Sequence, residues 1–446
     1  MSSIKATTRS RSGFYIAVTF LIFSYPFYAS NILPMRLTFL FFCAGAFLIF
    51  ASYVRKDRFC MRDLGSLSLW ALAAFAMLVS FAVSQHAYDY SRVFYPVCLA
   101  ITITCALLCS GMDGWMMTAL KTVAVMLIPF ALGTIALYFF QDAYPAVKAI
   151  LFPDSLFATG YKSGLTTHYS HNGTYNITGF LISFGLASCS SAPKKERRGW
   201  LLTAALFLFA LLLIGKRQTL LFGGFAVLLV YLLSNDKNKG KKLLCVGVLV
   251  VVLGMLVAQF VPGVAESLER LFNSFGDDDI ASVTNGRDVV WDAAIAGWSE
   301  NPLFGKGWGT FTYQFTATNT VHVAHNELLD LLYGVGLVGA ALFVVCSFAT
   351  LVISICLFRK SNQNRIELHI PHVSTMLSIS LMLQAYDVSM GFTIGSLFAT
   401  PSAFMPYFLA VSIVAYCYRS TSKASLKSRK GDIGPIVALS ERETAS

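Results

Sequence analysis

The sequence predicts an all-α polytopic membrane protein with about twelve transmembrane helices and a long extracytoplasmic loop. Of its 446 residues, 56% are hydrophobic and only 13% are charged, which is too little charge for the surface of a water-soluble domain. The mean hydropathy is +0.64. Apolar runs of about 20 residues, the length that a membrane-spanning helix needs, recur along the chain, whereas a transmembrane barrel would show short alternating strands.

The loops between these runs differ in charge. The predicted spans lie near 14–30, 35–54, 64–83, 93–110, 115–139, 173–190, 200–215, 218–234, 243–260, 326–356, 372–390 and 402–418. Lys and Arg concentrate in both terminal tails and in alternate loops, and such loops face the cytoplasm. Membrane orientation therefore accounts for the formal net charge of +11, and no nucleic-acid partner is expected. An even number of spans predicts that both termini are cytoplasmic.

The opposite side receives two long polar segments, about 140–172 and about 261–325. The tail after Arg419 is basic and polar, a composition that favours disorder. We therefore predict four parts: N-terminal transmembrane helices in 1–199, a core in 200–356 that includes the extracytoplasmic loop 261–325, C-terminal transmembrane helices in 357–418, and a disordered cytoplasmic tail in 419–446.

A short turn, Gly215-Lys216-Arg217, joins two of the spans. These spans share only about 35 apolar residues, whereas two full crossings need about 40. The turn is therefore expected below the outer membrane surface, where a cation is costly and usually faces a cavity or an anion. Arg217 is a candidate anion ligand, because a guanidinium stays charged and binds two phosphate oxygens at once. The alternative is an arginine that extends to the membrane interface.

Few other cations are assigned to the outer side, so each needs a reason. Arg287, within Asn285-Gly286-Arg287-Asp288, is either an anion ligand or a solvated residue that caps a helix or pairs with Asp288. Arg36 and Arg92 lie at the ends of spans, where interfacial anchoring is favoured. Arg92 also follows Tyr88, Asp89 and Tyr90, which would suit a sugar-lined cleft.

The stretch from His325 to Gly339 places an imidazole and an amide where the polar loop enters an apolar helix. His325 is a candidate general base, because imidazole titrates near neutrality. The alternative is a histidine hydrogen-bonded at a helix start, with Asn326 as an ordinary N-cap. Gly336 and Gly339 are spaced so that another helix could pack closely.

Other polar groups were weighed for metal or sugar binding. The pairs His168/His171 and His322/His325 are three residues apart, but no Cys or HExxH-like element accompanies them. The acidic run Asp277–Asp279 is typical of a solvated loop. We therefore expect no metal and no cofactor. The polar segment from Thr166 to Asn172 is either a carbohydrate-binding rim or a polar cap on the next helix.

Taken in order, these motifs resemble the O-antigen ligase and polymerase family of WaaL/Wzy-type membrane proteins. The resemblance covers about residues 200–350. It rests on Arg217 between two apolar spans, on Gly286-Arg287 followed by Trp291, on Asn301-Pro302-Leu303-Phe304-Gly305-Lys306-Gly307-Trp308-Gly309, and on His325-Asn326 followed by Gly336 and Gly339.

The resemblance implies a C-type glycosyltransferase fold that needs no metal and takes a glycan from undecaprenyl pyrophosphate outside the bacterial inner membrane. Ligases transfer O-antigen to lipid A–core, and polymerases extend O-antigen, capsular or exopolysaccharide chains by repeat units. The Gly-Lys-Arg site and the segment from Gly164 to Asn172 look more like polymerases. The expected partners are the lipid-linked donor, an acceptor glycan or glycolipid, the bilayer and a chain-length regulator protein.

The resemblance also implies roles for individual residues. Arg217 and Arg287 are expected to neutralise the pyrophosphate, and His325 to accept the proton of the acceptor hydroxyl. With no carboxylate nucleophile evident, single displacement with inversion is the simpler mechanism. Further expected pyrophosphate ligands are Lys216 and Arg92, and expected substrate-lining residues are Asn326, Trp308, Tyr169 and His171. A transporter or flippase is a distant alternative, because paired half-length repeats are not evident.

Overall fold

The computed structural model describes most of the helical body of the chain. The described residues are 2–23, 35–54, 65–83, 114–152, 160–234, 287–308, 310–315, 320–322, 324–362, 372–394 and 409–419, with a few isolated positions besides. They form helices α1 (Ser2–Phe23), α2 (Met35–Val54), α3 (Gly65–Val83), α4 (Trp115–Phe139), α5 (Tyr144–Leu151), α6 (Tyr169–Ala187), α7 (Lys194–Ile214), α8 (Arg217–Leu233), α9 (Arg287–Glu300), α10 (Glu327–Asn362), α11 (Val373–Ile394) and α12 (Leu409–Arg419).

Three of these helices, α4, α7 and α10, are long and apolar enough to cross a membrane. Shorter apolar helices cover 13–23, 37–51, α8 and α12. The predicted helical membrane class is therefore confirmed in this coarse form. Each predicted span except those near 93–110 and 243–260 overlaps one of the helices given above, and apart from Gln259 those two lie outside the described residues. The count of twelve stays a prediction.

Helix α6 lies at the centre of the hydrophobic core. It packs against α4, α7, α8 and α11. A Cβ at Gly179 would collide with the ring of Phe207 on α7, and a Cβ at Gly185 would collide with Ile379 on α11. These two glycines therefore let α6 approach both α7 and α11 closely.

Helix α10 is interrupted at Gly336, whose φ of 67° and ψ of −172° are not helical. We call residues 301–308 the insertion loop, because this segment packs into the interruption. Four backbone hydrogen bonds of 2.7 to 3.2 Å join the two: Lys306 to Tyr333, Gly307 to Gly334, Leu337 to Pro302, and Val338 to Leu303, each written donor first. The loop thus satisfies backbone groups that the break in the helix leaves without helical partners.

The prediction that another helix packs closely at Gly336 and Gly339 was wrong. A Cβ at Gly336 would collide with the backbone of Leu303 and Phe304, so a loop occupies this position rather than a helix. Gly305, with a φ of 70°, makes the same close approach from the loop side. Gly339 instead faces the side chain of Val335 in its own helix. The glycines of the Asn301–Gly309 motif therefore serve the contact between the insertion loop and α10.

Ser80 on α3 joins this junction to the N-terminal helices. Its hydroxyl donates to the carbonyl of Gly334 at 2.6 Å and accepts from the backbone N–H of Trp308 at 3.1 Å. Ser80 therefore connects α3 to both α10 and the insertion loop.

Candidate functional site

The first component of the site is the turn between α7 and α8. Gly215 ends α7 in the left-handed region, with a φ of 68°, and Lys216 is extended. Arg217 is the first residue of α8. A Cβ at Gly173 would lie 3.5 Å from Cδ of Lys216, so the lysine stem runs across α6 where that helix has no side chain. The short turn is confirmed, and it directs Lys216 toward the start of α6.

The second component is the start of α6. His168 is its N-cap, and its Nδ1 accepts a hydrogen bond from the backbone N–H of Ser170 at 3.1 Å. The ring of His168 lies 4.3 Å from that of Tyr169 and 6.0 Å from that of His171, between centroids. Nζ of Lys216 lies 5.7 Å from the centre of the Tyr169 ring. Tyr169 is 36% exposed, so this group has a face open to solvent.

The third component comes from α9 and the segment before α10. A small core of Val290, Ala294, Phe311 and Ala324 holds them together. Nε1 of Trp291 donates to the carbonyl of Ala324 at 2.8 Å. Arg287 lies one helical turn before Trp291, and His325 directly follows Ala324. The hydrogen bond therefore places these two residues at one end of the small core.

A short antiparallel hairpin leads into this segment. Strands β1 (Tyr313–Phe315) and β2 (Thr320–His322) pair with Tyr313 opposite His322. His325 follows with a φ of 51°, a backbone conformation that is uncommon for residues other than glycine. The side chain of Asn326 then caps α10, since its Oδ1 accepts from the N–H groups of Leu328 at 3.1 Å and Leu329 at 3.3 Å.

The three components lie close enough for residues of one to influence the pKa of residues of another. Burial, and then the neighbouring Arg287, lower the pKa of Lys216 to about 7. Burial also lowers the pKa of Arg287, while Tyr169 acts in the opposite direction. Burial, followed by Lys216 and His325, lowers the pKa of His168 to about 4. We call His168, Tyr169, His171, Lys216, Arg287 and His325 the imidazole–cation cluster.

The cluster is suited to an anionic ligand. Lys216 keeps partial contact with solvent, but burial and the guanidinium of Arg287 both disfavour its ammonium form. An anion placed beside these two cations reverses the repulsive effect, because an opposite charge favours the charged form of each. The N-terminus of α8 adds a favourable dipole for negative charge. The imidazoles of His168 and His325 nearby provide hydrogen-bonding groups.

The structure brings together most of the residues predicted for the site. Lys216, Arg287, His325, Tyr169 and His171 all belong to the imidazole–cation cluster, and their catalytic or binding roles stay predictions. Arg217 directly follows Lys216 and is partly exposed. Its part in anion binding also stays a prediction. Arg92, Asp277–Asp279 and the side chain of Arg36 lie outside the described residues.

Two predicted substrate-lining residues also have structural roles. Trp308 is only 2% exposed and belongs to the hydrophobic core, and its place along a sugar path stays a prediction. Asn326 uses its side-chain oxygen to cap α10, which was the alternative given for it. Close packing of the core accounts for the burial of Trp308, and the unpaired N–H groups at the start of α10 account for the hydrogen bonds of Asn326.

The segment from Thr166 to Asn172 is mainly a helix cap. Thr166 is buried and donates to the carbonyls of Ser163 at 2.7 Å and His168 at 2.8 Å. Asn172 is also buried and donates to Oγ1 of Thr134 at 2.7 Å. Within the described ranges, no group of three or more His, Cys, Asp or Glu side chains could hold a metal ion.

Two features escaped the sequence reasoning. His168 was weighed as half of a histidine pair and within the polar segment from Thr166 to Asn172, but it was not singled out as the N-cap that its position just before an apolar helix indicates. Asp387, within α11, is 2% exposed. The signal for it was a lone carboxyl inside an apolar run, which is costly in a membrane and commonly functional.

Comparison with known proteins finds a family model that matches part of the chain. The family model described as O-antigen ligase matches residues 202–344, about a third of the chain. No curated protein matches the chain. The matched segment contains Lys216, Arg287 and His325, three members of the imidazole–cation cluster. Sequence motifs and matched segment together support the assignment of this chain to the O-antigen ligase/polymerase family.

Proposed function

We propose that this protein is a membrane glycosyltransferase that polymerises glycan repeat units carried on undecaprenyl pyrophosphate. The observation that carries the proposal is the convergence of Lys216, Arg287 and His325. They come from separate elements of the family-matched segment, and together they combine anion binding with a proton acceptor. The apolar helices suit a substrate that is itself held in the bilayer.

The cations act on the leaving group. As the acceptor oxygen attacks C1 of the donor sugar, the bond from C1 to the phosphate oxygen breaks and its electron pair stays on the diphosphate. Lys216 and Arg287, with Arg217 beside them, stabilise the negative charge that develops there. Fixed cations that are stronger partners for the transition state than for the ground state lower the barrier.

His325 takes the proton of the attacking hydroxyl. Its imidazole follows the hairpin and lies near His168, and Asn326 rather than His325 caps α10. A general base needs to be within hydrogen-bonding reach of the proton that it removes. Direct attack by the acceptor predicts inversion at C1.

The orientation of the protein follows from the distribution of charge. The basic loops and both tails lie on the cytoplasmic side of a bacterial inner membrane. The cluster is built from the segments near 168, 216, 287 and 325. It then lies on the extracytoplasmic side, where lipid-linked repeat units are expected.

Ligation is a second candidate, because the matching family model is described as O-antigen ligase. A ligase would transfer the same lipid-linked glycan to lipid A–core or to another acceptor. The two reactions share the donor and the leaving group, so the cluster serves both equally. They differ only in the acceptor, which the experiment must therefore supply or withhold.

The experiment is reconstitution of purified protein with a synthetic lipid-linked repeat unit. A ladder of longer glycans supports polymerisation. Transfer only after lipid A–core is added favours ligation. Movement of the lipid across the bilayer without any covalent change would contradict the proposal and favour a flippase. Activity is expected to persist in EDTA, and loss of activity that one divalent metal restores would contradict a metal-independent mechanism.

Variants of the cluster test the site itself. Arg287→Ala, Arg217→Ala and His325→Ala are each expected to lower turnover by about a hundred-fold or more, as loss of a charge-stabilising group does. Arg→Lys at either position is expected to be poorly tolerated, because the planar fork is lost. Lys306→Met is the matched control, since this cation lies in the same segment but pairs with Glu300 at 2.7 Å. Wild-type turnover in a folded Ala variant would remove that residue from the site.

A further inference from the structure

The hydrogen bond that caps α6 determines which nitrogen of His168 carries the proton. Nδ1 accepts from the N–H of Ser170 at 3.1 Å, so this nitrogen has no proton of its own. In a neutral imidazole with Nδ1 as the acceptor, Nε2 must be protonated. His168 can therefore donate a hydrogen bond from Nε2 but cannot use Nδ1 as a base.

The surroundings of His168 keep the ring neutral. Burial is the largest cause of its lowered pKa of about 4, and the charges of Lys216 and His325 act in the same direction. At neutral pH the ring is thus a fixed donor. His168 also differs from His325 in its place, because the residue that caps α10 is Asn326 rather than His325.

The position of the ring relates it to the proposed ligand. It packs against Tyr169, over whose ring Nζ of Lys216 lies at 5.7 Å. Lys216 and His325 both act on its pKa. His168 therefore lies within electrostatic reach of a cation proposed to bind diphosphate and of the imidazole proposed to accept a proton.

We propose that His168 is a substrate-binding residue that donates a hydrogen bond from Nε2 to a diphosphate oxygen of the lipid-linked donor. This inference rests on the proposed function. It assigns different roles to the two imidazoles, with His325 as the proton acceptor and His168 as a hydrogen-bond donor. During transfer, the bond between C1 and the phosphate oxygen breaks, and the new bond forms between C1 and the acceptor oxygen. The acceptor proton goes to His325, while His168 keeps its own proton and stabilises the departing oxygen.

Two substitutions separate the cap from the donor. In His168→Asn the side-chain oxygen takes the place of Nδ1 and can still cap α6, because Asn is a favoured N-cap, but nothing replaces Nε2. In His168→Gln the amide nitrogen can take the place of Nε2, whereas the favoured capping geometry is lost. The first variant tests substrate binding, and the second tests stability.

The measurements are the thermal unfolding midpoint and the affinity for undecaprenyl diphosphate at a fixed pH of about 7.5, near the neutral range in which His168 is uncharged. We expect His168→Asn to unfold near the wild-type temperature and to bind about ten- to a hundred-fold more weakly, as loss of a hydrogen bond to a charged group predicts. We expect His168→Gln to unfold at a lower temperature and to bind more tightly than His168→Asn.

Two kinds of result, in affinity and in the pH profile, would overturn the inference. One is wild-type affinity in His168→Asn, or a loss of affinity in both variants that only follows the loss of stability. The other is a limb of the wild-type pH–kcat profile that disappears in His168→Asn, since that would make His168 the base. Failure of the proposed function looks different, because wild-type protein and Arg287→Ala would then bind the diphosphate equally.

Discussion

Lys216 shows how a single residue can report on the ligand of the site. Its stem crosses α6 above Gly173, and its ammonium lies beside Arg287 and the ring of Tyr169. Burial and the guanidinium bring its pKa down to about 7 in the free protein. A bound dianion must raise this pKa, so binding of the donor takes up a proton at pH values above about 7.

The affinity for the donor is therefore expected to fall as the pH rises above about 7, by up to ten-fold for each pH unit. Below that pH, Lys216 is already protonated and affinity should level off. The measurement is the dissociation constant of a glycosylated polyprenyl diphosphate, which keeps a constant charge over this range. Lys216→Arg stays charged and should abolish the dependence. The same slope in that variant would assign the titration to another group.

Sequence reasoning at the residue scale identified chemical types better than roles. Arg287, Lys216 and His325 were found because cations on the outer side of a membrane protein and a polar helix start are both unusual. The substrate-lining roles of Trp308 and Asn326 stay predictions, because an indole or an amide serves packing or capping as well as sugar binding. Only tertiary contacts, such as the burial of Trp308, decide between these uses.

At the scale of elements, α9 acts as a positioning helix for two parts of the site. It carries Arg287 at its first position. Through Trp291 it also holds the segment that presents His325, because the indole N–H donates to Ala324 at 2.8 Å. The separation of the guanidinium from the imidazole thus depends on a bond that neither residue makes.

Trp291→Phe is expected to lower kcat by more than its effect on stability would suggest. Loss of one hydrogen bond costs about 0.5–1.5 kcal/mol of unfolding free energy, while the shift of His325 weakens proton transfer. Trp298→Phe is the matched control on the same helix, since its indole donates to Pro302 at 3.0 Å, away from His325. Equal kcat losses in the two variants would show that Trp291 has no special role in positioning.

Gly336 is the residue on which the interruption of α10 depends. Gly336→Ala should cost about 1–3 kcal/mol from the backbone conformation alone. It should cost more because a Cβ meets the backbone of Leu303 and Phe304. We expect a clear fall in the thermal unfolding midpoint. Gly224→Ala is the control, as a Cβ there meets nothing within 4 Å; an equal fall in that variant would contradict this account.

At the scale of the whole molecule, hydropathy was sufficient to predict the helical membrane class and the approximate position of most described apolar helices, but not α5 or α9. It could not predict the interruption of α10 or the insertion loop, because a hydropathy profile contains no information on which backbone segments meet. Gly336 and the Asn301–Gly309 motif were recognised as a pattern. Their contact depends on hydrogen bonds between residues about thirty positions apart, such as that from Lys306 to Tyr333.

The predicted orientation can be tested with reporter fusions. Fluorescent-protein fusions at about residues 60, 195 and 238 should fluoresce, because these loops are basic and are expected in the cytoplasm. Alkaline phosphatase should be active when fused near residues 163 and 290, which are expected on the outer side. Phosphatase activity at 195, or fluorescence at 290, would place the imidazole–cation cluster inside the cell and contradict the proposed function.

The interruption of α10 also has a consequence for the lipid environment. A continuous helix transmits every change of tilt along its length, and helices tilt when the hydrocarbon thickness changes. Here the insertion loop is joined by backbone hydrogen bonds to α10 on both sides of Gly336, from Tyr333 to Val338, and only the part beyond Val338 makes none of these bonds and is long enough to respond to the bilayer. Turnover should therefore vary little between vesicles of short and long acyl chains, even where the part of α10 beyond Val338 has a different tilt.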